Sequence, residues 1–181
     1  MTTEPGSAGG WVLRPARPSD VETIAELRAV VLRPDLERLG RYDGQRVRQR
    51  LRDGLSLRHS SVVLLTDDGR HPDGAGDPVG SLTRRPAADG VWLEHFYLAP
   101  ELQGRGLGSA VLRTALAGTD ADGTDVRLNV LQGSAARRLY ERHGFVVDSQ
   151  DAVDVFMLRR AGPAVRARAA GPFTGPPGRA G

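Results

Sequence analysis

The chain of 181 residues is 39% hydrophobic and 26% charged and has no cysteine. This is the profile of a soluble globular domain, without disulfides, a thiolate nucleophile or a zinc–thiolate cluster. All 25 of its Lys+Arg residues are arginine, which excludes a P-loop, a Schiff base and a lysine general base. The pI of about 10.1 does not mark a nucleic-acid binder. Residues 161–181 hold three arginines and no acid, and the other 160 residues balance 22 arginines against 22 carboxylates, leaving no excess charge to track phosphates.

Residues 1–10 are small and polar and lack the apolar run of a signal peptide. The longest aliphatic run, Val62–Leu65, is too short for a bilayer, so no membrane partner and a cytoplasmic location are expected. Residues 161–181, rich in Ala, Gly, Pro and Arg, bury too little to offset their ordering entropy. The expectation is two disordered tails, 1–10 and 161–181, around a single domain over 11–160.

Within that domain Trp11–Arg14 reads as a first strand. Ser19 and Asp20 are placed to cap a helix with Val21, Ile24, Ala25, Leu27 and Val31 on its apolar face, ended by Pro34. A second helix, from about Gln45 to Leu57 behind a cap at Asp43, carries Val47, Leu51 and Leu55. Ser61–Thr66 is a buried strand, 67–78 a loop, and Val79–Thr83 and Val91–Leu98 are strands separated by Pro86–Gly90. A glycine-rich turn follows Pro100, then a helix from about Gly108 to Ala117. Val126–Leu131 is a strand, Ser134–His143 a helix stopped by Gly144, and Phe145–Asp148 and Val153–Arg159 complete the chain. Hairpins mixed with crossovers imply an α+β fold, a mixed sheet with helices packed on it.

The turn Gln103-Gly-Arg-Gly-Leu-Gly108-Ser109 follows a strand and opens a helix. Its glycines permit positive φ and close approach of a ligand, and the helix start presents unpaired N–H groups, a site suited to phosphate. A dinucleotide fingerprint beginning at Gly104 would need Gly or Ala where Ser109 stands, and an earlier βαβ unit.

Read as Gln-x-x-Gly-x-Gly, the turn resembles the acyl-CoA pyrophosphate loop of the GNAT superfamily of N-acyltransferases. The run from Trp92 to Gly108 is similar to that family's fourth strand and loop. Arg137-Arg-Leu-Tyr-Glu-Arg-His-Gly-Phe145 is similar to its closing helix, and the element order matches over roughly 11–160. The family often has an asparagine before that helix; here Gly133 and Ser134 stand there, and Ser134 retains the ability to cap. The resemblance implies a splayed mixed sheet of six to seven strands flanked by about four helices. It also implies acetyl-CoA as cosubstrate with no metal, and a small-molecule or peptide amine as acceptor. Homodimers are common in the family.

The resemblance further assigns the pantetheine arm to backbone groups of Phe96 and Leu98. The pyrophosphate goes to Gln103, Gly104, Arg105, Gly106, Gly108 and Ser109, with Ser134 near the donor. An alkyl amine near pKa 10.4 must lose a proton before it attacks a thioester, the carbonyl oxygen needs a donor, and the departing thiolate needs a proton. Tyr140, at the family's tyrosine position, is the candidate acid, and a backbone N–H near Leu98 the candidate oxyanion donor. Glu94 is the candidate base, because a regular strand puts Trp92, Glu94, Phe96 and Leu98 on one face. His95 then points the other way unless the strand bulges. Asn129 either meets the acceptor or bonds a neighbour, His143 suits a helix end, and His59 and His71 lack metal-ligand spacing. Asp35, Glu37, Asp43 and Asp53 are equally an attraction for a cationic amine or a solvated face. The alternative function is a catalytically silent acyl-CoA-binding sensor or scaffold.

Overall fold

Three consecutive apolar residues, Val62, Val63 and Leu64, are all buried, although alternate side chains of a strand point to opposite faces. The sheet must therefore be covered on both sides. Val62 and Leu64 pack with Ile24, Ala25, Leu51 and Tyr97, whereas Val63 packs with Leu82, Leu93, Val111, Leu112, Leu128 and Phe145. The computed structural model describes residues 10–66 and 76–162. The expected tails (apart from Gly10, Ala161 and Gly162), most of the 67–78 loop and His71 lie outside these residues.

The elements in chain order are β1 (Gly10–Pro15), α1 (Val21–Arg38), α2 (Gly44–Gly54), β2 (Ser60–Thr66), β3 (Gly80–Ala87) and β4 (Gly90–Leu98). They continue with α3 (Leu107–Ala121), β5 (Val126–Leu131), α4 (Ala136–Arg142), β6 (Val146–Gln150) and β7 (Asp154–Arg159). The seven strands lie in the order β1-β2-β3-β4-β5-β7-β6. Among the described residues only the β4–β5 pair is parallel. This is the α+β architecture expected, with α1 and α2 contributing to one core cluster and α3 to the other.

Several local expectations are corrected. Pro34 does not end α1, which runs on to Arg38. The N–H that Pro34 lacks would have met the carbonyl of Val30, a residue 50% exposed and so open to water. Neither Ser19 nor Asp20 caps α1. Asp20 is buried and accepts two hydrogen bonds from Arg14, at 2.9 and 3.0 Å, and one from the Arg17 N–H at 2.7 Å. The α2 cap is as expected, with the Asp43 carboxylate accepting from the Arg46 N–H at 3.0 Å, but the helix stops at Gly54. Strand β3 extends through Pro86 to Ala87. The turn into β4 needs Gly90, where φ is +135° and an added Cβ would lie 2.3 Å from the Asp125 carbonyl oxygen. Two forked ion pairs, Arg48 with Glu26 and Arg52 with Glu22, tie α2 to α1.

Candidate active site

Strands β4 and β5 share only two rungs, Val91 with Val126 and Trp92 with Arg127. Past Trp92 they part, because β4 carries a bulge. Ser81 opposes Tyr97 but Thr83 opposes Glu94, so β4 has one residue more than β3 over this interval. His95 takes the strain with φ +51°, the one non-glycine at positive φ among the described residues.

The bulge overturns the regular-strand geometry. Phe96 and Leu98 pack with the cluster beneath α3 and Tyr97 with the cluster beneath α1. Glu94, opposite Thr83 and bound to Arg85, is on the Tyr97 side and not on the face of Phe96 and Leu98. His95, released from its alternate direction, lines the same cleft as Glu94 and Tyr97.

That cleft has a volume of about 660 Å³ and lies between α1, α2 and the parting strands, with Ser134 and Tyr140 also on its wall. Arg85 grips Glu94 with two hydrogen bonds of 3.0 and 2.7 Å. That grip outweighs partial burial and holds the carboxyl below its ordinary pKa. Arg28 of α1 donates to the Tyr97 hydroxyl at 2.7 Å and lies 3.4 Å from His95 Nδ1. Burial, reinforced by the Arg28 charge, lowers the His95 pKa to about 4, so the ring is neutral at pH 7. Asn129 turns to a neighbour, donating to Asp154 at 2.8 Å. Arg38 at the end of α1 donates to the Gln132 carbonyl, linking α1 to the β5–α4 loop.

Tyr140 is 6% exposed, with its ring between Phe96 and Phe145 at centroid distances of 6.5 and 5.6 Å. Its hydroxyl has no hydrogen-bond partner among the described residues. Burial, with Tyr97 nearby, raises its pKa well above the ordinary phenol value, so it keeps its proton. The Ser134 hydroxyl accepts from the Ala136 N–H at 3.3 Å, and α4 starts two residues later than expected, at Ala136.

The glycine turn lies beside the end of β4. Gly104 and Gly106 have φ of +72° and +88°, and a Cβ on either would meet nothing within 4 Å. They are required by the backbone, and the space above them is open. The first α3 bond runs from the Ala110 N–H to the Gly106 carbonyl. The N–H groups of Leu107, Gly108 and Ser109 thus have no acceptor among the described residues. Gly108 packs close, a Cβ there lying 3.4 Å from Leu98. Gln103 spends its N–H on the Pro100 carbonyl and its side-chain amide on the Leu98 carbonyl, at 3.2 and 2.8 Å. Arg105 is exposed. Because the Ala99 N–H bonds to Val79, the alternation of an antiparallel pair turns the N–H and carbonyl of Leu98 away from β3.

Of the residues singled out from sequence, Glu94, Phe96, Ser134 and Tyr140 line the cleft, together with Asn129 and His95. Leu98, Gln103, Gly104, Arg105, Gly106, Gly108 and Ser109 form the adjoining turn, while His59 and His143 are elsewhere. Asp35 pairs with Arg38, Glu37 with Arg33, and Asp53 accepts from Gln49. Arg28 and Tyr97 were not anticipated. Arg28 had a signal, for it stands four residues after Ile24 and four before Leu32, a charge on the apolar stripe of α1. Among the described residues there is no group of three or more metal-ligating side chains, and no helix is long and apolar enough to cross a membrane.

The family model for the acetyltransferase (GNAT) domain matches residues 58–147, the interval holding the bulged strand, the glycine turn and the Tyr140 helix. The chain belongs to the GNAT family of acetyltransferases. No curated protein matches the sequence. Among solved structures, PaiA N-acetyltransferase from Thermoplasma acidophilum in complex with coenzyme A is similar, with TM-score 0.63 and 20% identity over 83% of this chain and 99% of that one. NAA60 of Arabidopsis thaliana, in complex with a bisubstrate analogue, gives 0.55 and 18% over 84% and 98%. A GNAT-family acetyltransferase from Streptococcus agalactiae gives 0.62 and 15% over 84% and 96%. At these identities the likeness is one of fold.

Proposed function

We propose that this GNAT protein is an N-acetyltransferase that moves an acetyl group from acetyl-CoA to a primary amine within one ternary complex, acting in the cytoplasm through a single domain over residues 11–160. The observation that carries the reading is the placement of the glycine turn at the end of the strand that lines the cleft. Unpartnered N–H groups at the start of α3 adjoin Leu98, the free edge of β4 continues past Trp92, and Tyr140 stands on the wall of the same cleft.

In this reading the backbone of Phe96 and Leu98 pairs with the pantetheine amides as a strand would. The turn from Gly104 to Ser109 holds the pyrophosphate on its N–H groups, Arg105 adds charge, Gln103 braces the turn from beneath, and Ser134 contacts the donor from the α4 side. The Leu98 N–H donates to the thioester oxygen as negative charge builds there. The amine nitrogen forms the new C–N bond, the C–S bond breaks, the nitrogen gives up a proton, and the sulfur gains one. Glu94 draws the ammonium and relays its proton to solvent, working against the Arg85 grip, which makes it a weak base. Tyr140 donates a hydrogen bond to the departing sulfur and, as charge collects there, passes its proton to the sulfur while recovering the one the nitrogen gives up. The thiol, with a pKa near 8.5, is then free to leave.

The Arg85 grip on Glu94 also favours a second reading, an acyl-CoA-binding sensor without turnover. Thermal unfolding with and without saturating acetyl-CoA, with NADH and ATP as controls, tests the donor site. At about 100 times Kd the gain is roughly 2.7 kcal/mol, or about 5–10 °C at this chain length. Thiol release with an amine panel then separates the transferase from the sensor.

A further inference from the structure

We infer that the acceptor amine carries an anionic group of its own, a carboxylate or a phosphate, bound by arginines on the α1–α2 wall of the cleft. The inference rests on the transferase reading above and narrows its substrate. Helix α2 sorts its arginines by face. Arg48 and Arg52 are forked onto Glu26 and Glu22 of α1. Arg46 and Arg50, one turn apart, line the cleft instead and have no ion pair among the described residues, and the same holds for Arg41.

Arg28 completes the set. It contacts the Tyr97 phenol and a neutral His95, neither of which is a counter-charge, and its Nε is buried without a hydrogen-bond partner among the described residues. Four carboxylates also line the cleft, but two are spoken for from outside it. Arg38 holds Asp35 and Arg85 holds Glu94. Asp43 caps α2 and Asp154 accepts from Asn129. Among the described residues, four arginines therefore face two carboxylates that pair with no arginine side chain. Guanidinium groups bind carboxylate and phosphate as a planar fork, so an anion on the acceptor would satisfy this wall, whereas a polycation would be repelled by it. The orientation is consistent with the chemistry: the arginines hold the anionic end, and the amine points to Glu94 at the parting of β4 and β5.

The test is acetyl-CoA-dependent thiol release with matched acceptors: glutamate against its diamide, O-phosphoethanolamine against ethanolamine, and spermidine as the polycation. The expected result is a kcat/KM at least about tenfold higher for one or both anionic members than for their neutral partners, the size of one charge-assisted hydrogen bond. The two pairs separate a carboxylate from a phosphate preference. Replacing both exposed arginines, Arg46→Gln and Arg50→Gln, raises KM for the favoured anionic amine about tenfold, with acetyl-CoA affinity as in the parent. Arg28→Gln, checked for folding by thermal unfolding, does the same. If acetyl-CoA binds and the neutral or polycationic amines are used equally or better, or no anionic amine is accepted, the inference is overturned and the donor site stands. If acetyl-CoA does not bind, the transferase reading falls and this inference with it.

Discussion

The hydroxyl of Ser81 donates a 2.8 Å hydrogen bond to the carbonyl of His95, supplying a partner at the point where the register of β3 and β4 slips. Ser81 is 1% exposed, so no water takes over if the hydroxyl is lost. Ser81→Ala removes that bond at a cost of about 1 kcal/mol. It also loosens the bulge that brings Glu94 and His95 to the cleft. A lower urea midpoint together with a reduced kcat/KM for acetyl transfer is the expected outcome. Full activity in a destabilised variant would show that the bulge does not shape the site.

Tyr140→Phe distinguishes a chemical role from a packing one. The hydroxyl has no protein partner among the described residues, and the ring contacts with Phe96 and Phe145 survive the substitution. Stability should stay within about 0.5 kcal/mol and the acetyl-CoA Kd should hold, while kcat falls by about 10²-fold. Equal losses in Kd and kcat would remove the tyrosine from the chemistry.

At Gly106 strain and charge separate cleanly, because an added Cβ meets nothing within 4 Å although φ is +88°. Gly106→Ala costs roughly 1–2 kcal/mol of backbone strain and weakens acetyl-CoA modestly. Gly106→Asp adds the same strain and a negative charge beside the orphan N–H groups of α3, and should abolish donor binding. Calorimetric titration of both variants decides it: equal affinities would mean that no phosphate rests there.

Asp20 gives the molecule an acid-sensitive link between β1 and α1. Burial works against its charge, but the Arg14 hydrogen bonds and the Arg17 N–H outweigh it and lower the pKa. A carboxyl lowered on folding stabilises above its unfolded pKa, about 3.9, and the contribution vanishes as pH falls through the folded value. The Asp20 and Arg14 side chains are only 6% and 11% exposed. Asp20→Asn should therefore cost roughly 3 kcal/mol at pH 7 by leaving a nearly buried guanidinium uncompensated. Urea midpoints of parent and variant should draw together as pH falls below the unfolded value and through the folded one, and a gap that survives full protonation of Asp20 would place the effect in packing.

The sequence made the element order, the glycine turn and the Tyr140 helix legible because each is encoded by a short local pattern. What it concealed was set by partners distant in sequence. The bulge has no marker of its own, since its strained residue is a histidine within an alternating run and its anchor is Ser81 on another strand. The hold of Arg85 on Glu94 depends on the β3–β4 register. Asp20 has the composition of a cap and serves instead as the partner of Arg14. Pro34 breaks helices by rule, but here the carbonyl it orphans belongs to an exposed residue. Arg28 was visible as a charge out of place on an apolar stripe, a clue that acquires meaning once Tyr97 is seen beneath it.

The two rungs that join β4 to β5 also bear on how the molecule would respond to its substrate. On one side lies an antiparallel meander of four strands, on the other a leaf of three, and this short seam is where the ladder between them is thinnest. A ligand whose amides run along the free edge of β4 would act as a temporary strand, adding rungs where the chain has left them out. Slowed amide exchange along both leaves on donor binding, and its return on thiol release, would mark each catalytic cycle as a stiffening and relaxing of the sheet.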